Sequence, residues 1–118
     1  MKVLMINGSP HPHGTTRRAL DEIAGALHQH GIETQIMTVG QEMIHGCIGC
    51  GRCKGHCAAF DDVVNEAIDA MAQSDGLIIG SPVYFASPNG TLLAFLDRMF
   101  YAGGPVFTGK PAACVSAA

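Results

Sequence analysis

The segment Gly76-Leu77-Ile78-Ile79-Gly80 is apolar without alternation, and the run from Lys2 to Ile6 is nearly so. A strand with one wet face alternates polar and apolar residues. An unbroken apolar run fits a parallel strand covered on both faces. Parallel strands need crossovers, and the intervening sequence supplies helices. Between Thr15 and His30, Leu20, Ile23, Ala24 and Leu27 fall at i, i+3, i+4 and i+7, one apolar stripe. Gly31 then stands where a helix C-terminus favours glycine. The β-branched stretch Ile32 to Val39 reads as a second strand. Asp61 and Asp62 suit the start of a second helix, whose stripe is Val64, Ala67, Ile68 and Met71. A third helix carries Leu92, Phe95, Leu96 and Met99 and breaks at Gly103-Gly104-Pro105. Ala112 to Ala117 reads as a fourth strand.

The order βαβαβαβ predicts an α/β fold, a doubly wound parallel sheet with helices on both faces. The expected strand order is 2-1-3-4. Ligands in such sheets bind beyond the carboxyl ends of the strands. That rule singles out Asn7–Thr16, Gly40–Phe60 and Ser81–Gly90, all read as loops.

A length of 118 residues allows one domain, and 47% hydrophobic against 14% charged residues excludes a disordered chain. The net charge of -3, with no basic patch, argues against nucleic acid as a partner. No apolar stretch is long enough to span a bilayer, so no membrane role is expected. The N-terminal run lacks the features of a signal peptide, and a cytoplasmic location is expected.

The first loop has the parts of a phosphate cradle. Ser9, Thr15 and Thr16 offer hydroxyls, Gly14 lets the backbone come close, and the first helix points its N-terminus at the site. No Lys or Arg sits inside the loop, so charge neutralisation falls to the backbone, the helix dipole and His11. The loop is neither a Walker A sequence nor a G-x-G-x-x-G fingerprint. Its plain alternative is a Gly/Pro turn capped by Thr15. The loop Ser81 to Gly90 exposes Val83, Tyr84 and Phe85 where a ligand would face them. A flat aromatic ring would cover these side chains, with Asn89 bonding its polar edge. The plain alternative is a hydrophobic plug. Asp97-Arg98 reads as a surface pair and Cys114 as a buried apolar residue.

Gly8-Ser9-Pro10, Gly14-Thr15-Thr16, Gly80-Ser81-Pro82-Val83-Tyr84-Phe85 and Phe95-Leu96-Asp97-Arg98 together resemble the flavodoxin-like NAD(P)H-dependent FMN reductases. The resemblance runs in order along the whole chain. It implies FMN as cofactor, NAD(P)H as electron donor, and a small-molecule acceptor such as a quinone or free flavin. It places Ser9, His11, Gly14, Thr15 and Thr16 at the phosphate and Pro82, Val83, Tyr84, Phe85 and Asn89 at the ring. Ser116 opens a third flavin-facing loop. No side chain stands out as general acid or base, as suits hydride transfer, where the cofactor carries the chemistry.

Cys47, Cys50, Cys53 and Cys57 have the spacing C-x2-C-x2-C-x3-C. Four thiolates at such short spacing hold iron–sulfur clusters. The run resembles the motif of the iron–sulfur flavoproteins, a branch of the same fold. That implies a [4Fe–4S] cluster and an electron carrier. Zinc, with His45 or His56 nearby, and uncoordinated redox-active thiols are the other readings. A non-flavin redox-sensing interaction module is the remaining alternative. A flavodoxin-like sheet has five strands, so a fifth strand and the last helices are expected beyond this sequence. The exposed edge of the fourth strand would then be covered by further sequence or by another copy in a homo-oligomer.

Overall fold

The computed structural model describes residues 1–118. Four parallel strands form the sheet: β1 (Lys2–Asn7), β2 (Glu33–Thr38), β3 (Gly76–Tyr84) and β5 (Ala112–Ala117), in the order β2-β1-β3-β5. A two-residue strand, β4 (Ser87–Pro88), pairs antiparallel with the end of β3. This is the flavodoxin-like arrangement that the strand–helix alternation predicts.

The helices are α1 (Thr15–Gln29), α2 (Val63–Ala72) and α3 (Gly90–Gly103). A 3-10 turn, Gly104–Phe107, follows α3. β1 shows why both faces must be covered. Val3 and Met5 pack with Leu20 and Ala24 of α1 on one face. Leu4 and Ile6 pack with Val64, Ile68 and Met71 of α2 and Leu92, Phe95 and Met99 of α3 on the other. Successive strand residues point to opposite faces, so a strand covered on both has no polar position to offer. β5 pairs with β3 alone, and most of it is exposed. No helix of the chain is long and apolar enough to cross a membrane.

Four expectations need correction. Ser81–Tyr84 is not loop. β3 continues through it, turns at Phe85-Ala86 and returns as β4. Arg98 is not a surface residue; it is 1% exposed. Cys114 is exposed, not buried, because the outer strand β5 lacks cover over it. The N-cap of α1 is Gly14, with no side-chain cap, and not Thr15. Asp62 does cap α2, accepting from Val64 N at 3.1 Å.

Candidate functional site

The register aligns Asn7 with Thr38 and with Gly80, so β1 and β2 release their loops at one edge, past which β3 runs on to Tyr84. The first loop is held from beneath. Gly8 N donates to Gly80 O at 2.8 Å, and Val39 N donates to Asn7 O at 2.9 Å. The Asn7 side chain accepts from Ser9 N at 3.1 Å, and Ser9 Oγ accepts from His11 N at 3.1 Å. Gln41 Nε2 donates to Pro10 O at 2.7 Å. Behind the loop lies Gly40. A Cβ there would fall 2.2 Å from the Ser9 carbonyl and 2.4 Å from Pro10 N, so only glycine lets the two segments touch.

This scaffold aims the loop at the start of α1. The helical ladder begins with Arg18 N donating to Gly14 O. The N–H groups of the preceding first turn have no intrahelical partner. With no side-chain cap on Gly14, they and the helix dipole face outward, as an anion site requires. Arg17 and Arg18 pair with Asp21 and Glu22 one turn on, so neither is committed to the loop.

A cleft of about 220 Å³ joins the two predicted loops. Ser9, His11, Thr15 and Thr16 line one side, and Pro82, Val83 and Tyr84 line the other, with Ala117, the last residue of β5, and Ala118. Seven of the residues singled out from the sequence thus share one cavity. The others stand apart. Gly14 caps α1, Ser116 lines a neighbouring depression beside Pro82, and Phe85 is fully exposed at the hairpin tip. Asn89 is buried. Its Nδ2 donates to Gly8 O at 2.6 Å and its backbone N to Ser81 Oγ at 3.3 Å, which straps the first loop to the hairpin.

The hairpin turn is strained. Phe85 and Ala86 have φ of 50° and 61°, the two positive values of a type I′ turn, which normally takes Asn, Asp or Gly. Strain of this kind persists only where the surroundings over-determine it, and it concentrates at ligand sites. A larger, shallow depression of about 670 Å³ lies at the opposite end of the sheet, around Lys2, His28 and Glu33. It faces the amino ends of the strands, away from the switch point.

The cysteine loop lies beside the same edge. All four of its thiols are free; Cys47 is exposed, Cys50 and Cys53 are half-buried, and Cys57 is buried. No three His, Cys, Asp or Glu side chains stand together so as to hold a metal ion, so the four thiols are not gathered. His56 pairs with Asp69 at 2.6 Å, and His45 stacks on Phe60. The Cys57 backbone is fixed by Asn65, which accepts from its N at 2.7 Å and donates to its O at 3.2 Å. Burial pushes the Cys57 thiol up. The Arg98 guanidinium and the backbone around Phe60 and Ala59 outweigh that and hold it below its ordinary value.

Arg98 and Asn65 are the residues that sequence reasoning missed. A signal for Arg98 was present. Position 98 lies three residues after Phe95, on the buried side of α3, and Asp61-Asp62 offered it a partner. Adjacent helical residues such as Asp97 and Arg98 do not face one another.

A doubly wound sheet with a hydroxyl-lined loop and an aromatic hairpin across one cleft defines a flavodoxin-like protein. The family model for NADPH-dependent FMN reductases matches residues 1–118, and the chain belongs to that family. An iron-sulfur flavoprotein of Methanocaldococcus jannaschii is 41% identical over 100 residues, covering 83% of this chain and 51% of that protein. An iron-sulfur flavoprotein of Archaeoglobus fulgidus is 34% identical over 113 residues, covering 93% of this chain and 51% of that one. The chain therefore spans about half the length of these relatives. The solved structure of an NADH:FMN oxidoreductase, in its apo form, superposes with a TM-score of 0.65 at 28% identity, covering 99% of this chain and 59% of that one.

Proposed function

We propose that this chain carries the FMN site of an oxidoreductase that takes reducing equivalents from NAD(P)H and passes them to a quinone, a free flavin or a similar small acceptor. The observation that carries this reading is the single cleft shared by Ser9, His11, Thr15 and Thr16 on one side and Val83 and Tyr84 on the other. Its donor set suits a phosphate monoester: hydroxyls and an uncapped helix N-terminus, with no Lys or Arg in the loop. The apolar hairpin suits a flat ring. Bound FMN would supply two-electron acceptance, which no side chain of the protein can. The chain's own part is to hold the phosphate by Ser9, Thr15, Thr16 and the α1 amides and to flank the ring with Pro82, Val83 and Tyr84. Asn89 keeps the two parts in register.

Titration of the protein with FMN should quench flavin fluorescence, and the complex should oxidise NAD(P)H when given a quinone. A protein that leaves FMN fluorescence unchanged would end this reading. Tyr84→Ala should weaken FMN about tenfold, the loss of roughly 1.4 kcal/mol expected for one ring contact. An unchanged Kd would remove Tyr84 from the site.

A second reading is favoured by the cysteine run, which two relatives named iron-sulfur flavoproteins accompany. Four free thiols between Cys47 and Cys57 have the donor chemistry of an iron–sulfur cluster, although they are not gathered here. In that reading Cys47, Cys50, Cys53 and Cys57 hold the cluster, which would supply one-electron transfer. Anaerobic purification should yield iron and sulfide together with flavin, and Cys50→Ser should lose the iron and keep the flavin. Flavin without iron under those conditions would leave only the first reading.

A further inference from the structure

Phe85 is the most exposed large apolar side chain of the protein, at 103%. It packs on nothing. It also stands where its residue type is disfavoured. The turn between β3 and β4 holds Phe85 at φ 50° and Ala86 at φ 61°. Two-residue turns of this kind take Asn, Asp or Gly, and a bulky residue at positive φ is an outlier. Phe85 therefore gives the hairpin no packing and costs it backbone strain. The base of the hairpin explains how the turn survives. Ser81 Oγ donates to Pro82 O at 2.8 Å and accepts from Asn89 N at 3.3 Å. Val83 lies opposite Pro88 and Tyr84 opposite Ser87. Both strands are held beneath the tip, so the tip keeps its strained form.

A ring kept at such a place has its use outside the chain. Val83, Tyr84 and Phe85 are consecutive and exposed, an apolar run of the kind that marks a contact site. Its position says what meets it. Pro82, Val83 and Tyr84 line the cleft, and Phe85 is the next residue, outside the lining. The remaining exposed aromatic residues, Phe100 and Tyr101, lie in the last turn of α3, away from the hairpin. Reacting atoms must be held about 3–3.5 Å apart, so a second reactant has to bring its ring against the one in the cleft. Aromatic side chains hold such rings by offset or edge-to-face contact. We propose that Phe85 docks the flat ring of the second reactant and so sets which ring the site accepts. This rests on the reading of the cleft as an FMN site. The shared chemistry is a flat conjugated ring, either a nicotinamide or a quinone.

The test titrates the oxidised, FMN-loaded protein by calorimetry with NAD+, with NADP+ and with menadione. All reagents are oxidised, so binding is read without turnover. Phe85→Asn should weaken at least one of these ligands about tenfold, or about 1.4 kcal/mol. The ligand that loses affinity identifies the ring. Phe85→Tyr keeps an aromatic ring and should keep the parent affinity. The Kd for FMN should stay within about twofold in both variants. The urea midpoint of Phe85→Asn should rise, because Asn suits the turn. A residue kept for the hairpin's own sake would lower it. Absence of binding in the parent protein, or equal affinity for all three ligands in Phe85→Asn, would overturn the proposal. So would an FMN affinity that falls alongside, which would put Phe85 in the flavin site itself, or a lowered urea midpoint. Sedimentation showing a dimer that Phe85→Asn splits would give the ring to a second copy and overturn it too. A parent protein that binds no FMN ends the reading of the cleft and this proposal with it, whereas the other failures end this proposal alone.

Discussion

Gly40→Ala is expected to weaken FMN binding about a hundredfold. The new methyl would sit 2.2 Å from the Ser9 carbonyl and 2.4 Å from Pro10 N, and both contacts are backbone. Neither can swing aside as a side-chain tip could. The first loop must move, and Ser9 moves with it. Losing two hydrogen bonds to a charged phosphate, at about 1.5 kcal/mol each, is about 3 kcal/mol, or roughly a hundredfold in Kd. Fluorescence titration with FMN measures this directly. Gly25→Ala is the matched control, because a methyl there meets nothing within 4 Å. Equal FMN affinity in the two variants would show that the contact between Gly40 and the loop has no bearing on binding.

Asp62→Ala is expected to destabilise the fold by about 3 kcal/mol or more. Two losses combine. The N-cap of α2 goes, worth about 1 kcal/mol. The bidentate partner of Arg98 goes too, which leaves a guanidinium with no side-chain exposure short of its counter-charge. Against a typical total of about 5–15 kcal/mol, that is a large fraction. Urea unfolding followed by circular dichroism measures the change. Asp62→Asn retains the cap and the shape and loses the charge, so it should fall between the two. A full loss in Asn would assign the effect to charge, and none would assign it to the cap.

The sheet and its helices were legible because each apolar run had one physical explanation. Gly76 to Gly80 could be nothing but a covered strand, and the stripe through Leu20 and Leu27 nothing but a helix face. The carboxyl-edge rule then located the cleft. What escaped had its cause elsewhere. Pro82 and Pro88 read as loop punctuation, yet β3 runs through the first and β4 ends on the second. A two-residue turn made of Phe85 and Ala86 runs against the preference for Gly and Asn at positive φ, so no local pattern could announce it. Cys114 has the residue type of a core position, but its burial depends on what lies over β5. Arg98 was misjudged because its partner is far away in sequence and its neighbour Asp97 is not. The cysteine spacing was plain. Whether the four thiols gather is a property of the loop and its occupant, which spacing does not encode.

The Asn89 side-chain amide donates to the Gly8 carbonyl and the Asn89 backbone N–H to the Ser81 hydroxyl, so neither half of the cleft can relax alone. The two halves are therefore thermodynamically linked. Whatever free energy an anion in the first loop adds to the capture of a ring, the ring must add to the capture of the anion, since such coupling is reciprocal. Where that coupling is favourable, a ligand bearing both ends gains more than the sum of its parts. Under the proposed function, discrimination between a phosphorylated and an unphosphorylated flavin would then lie in that one residue as much as in the hydroxyls of the first loop.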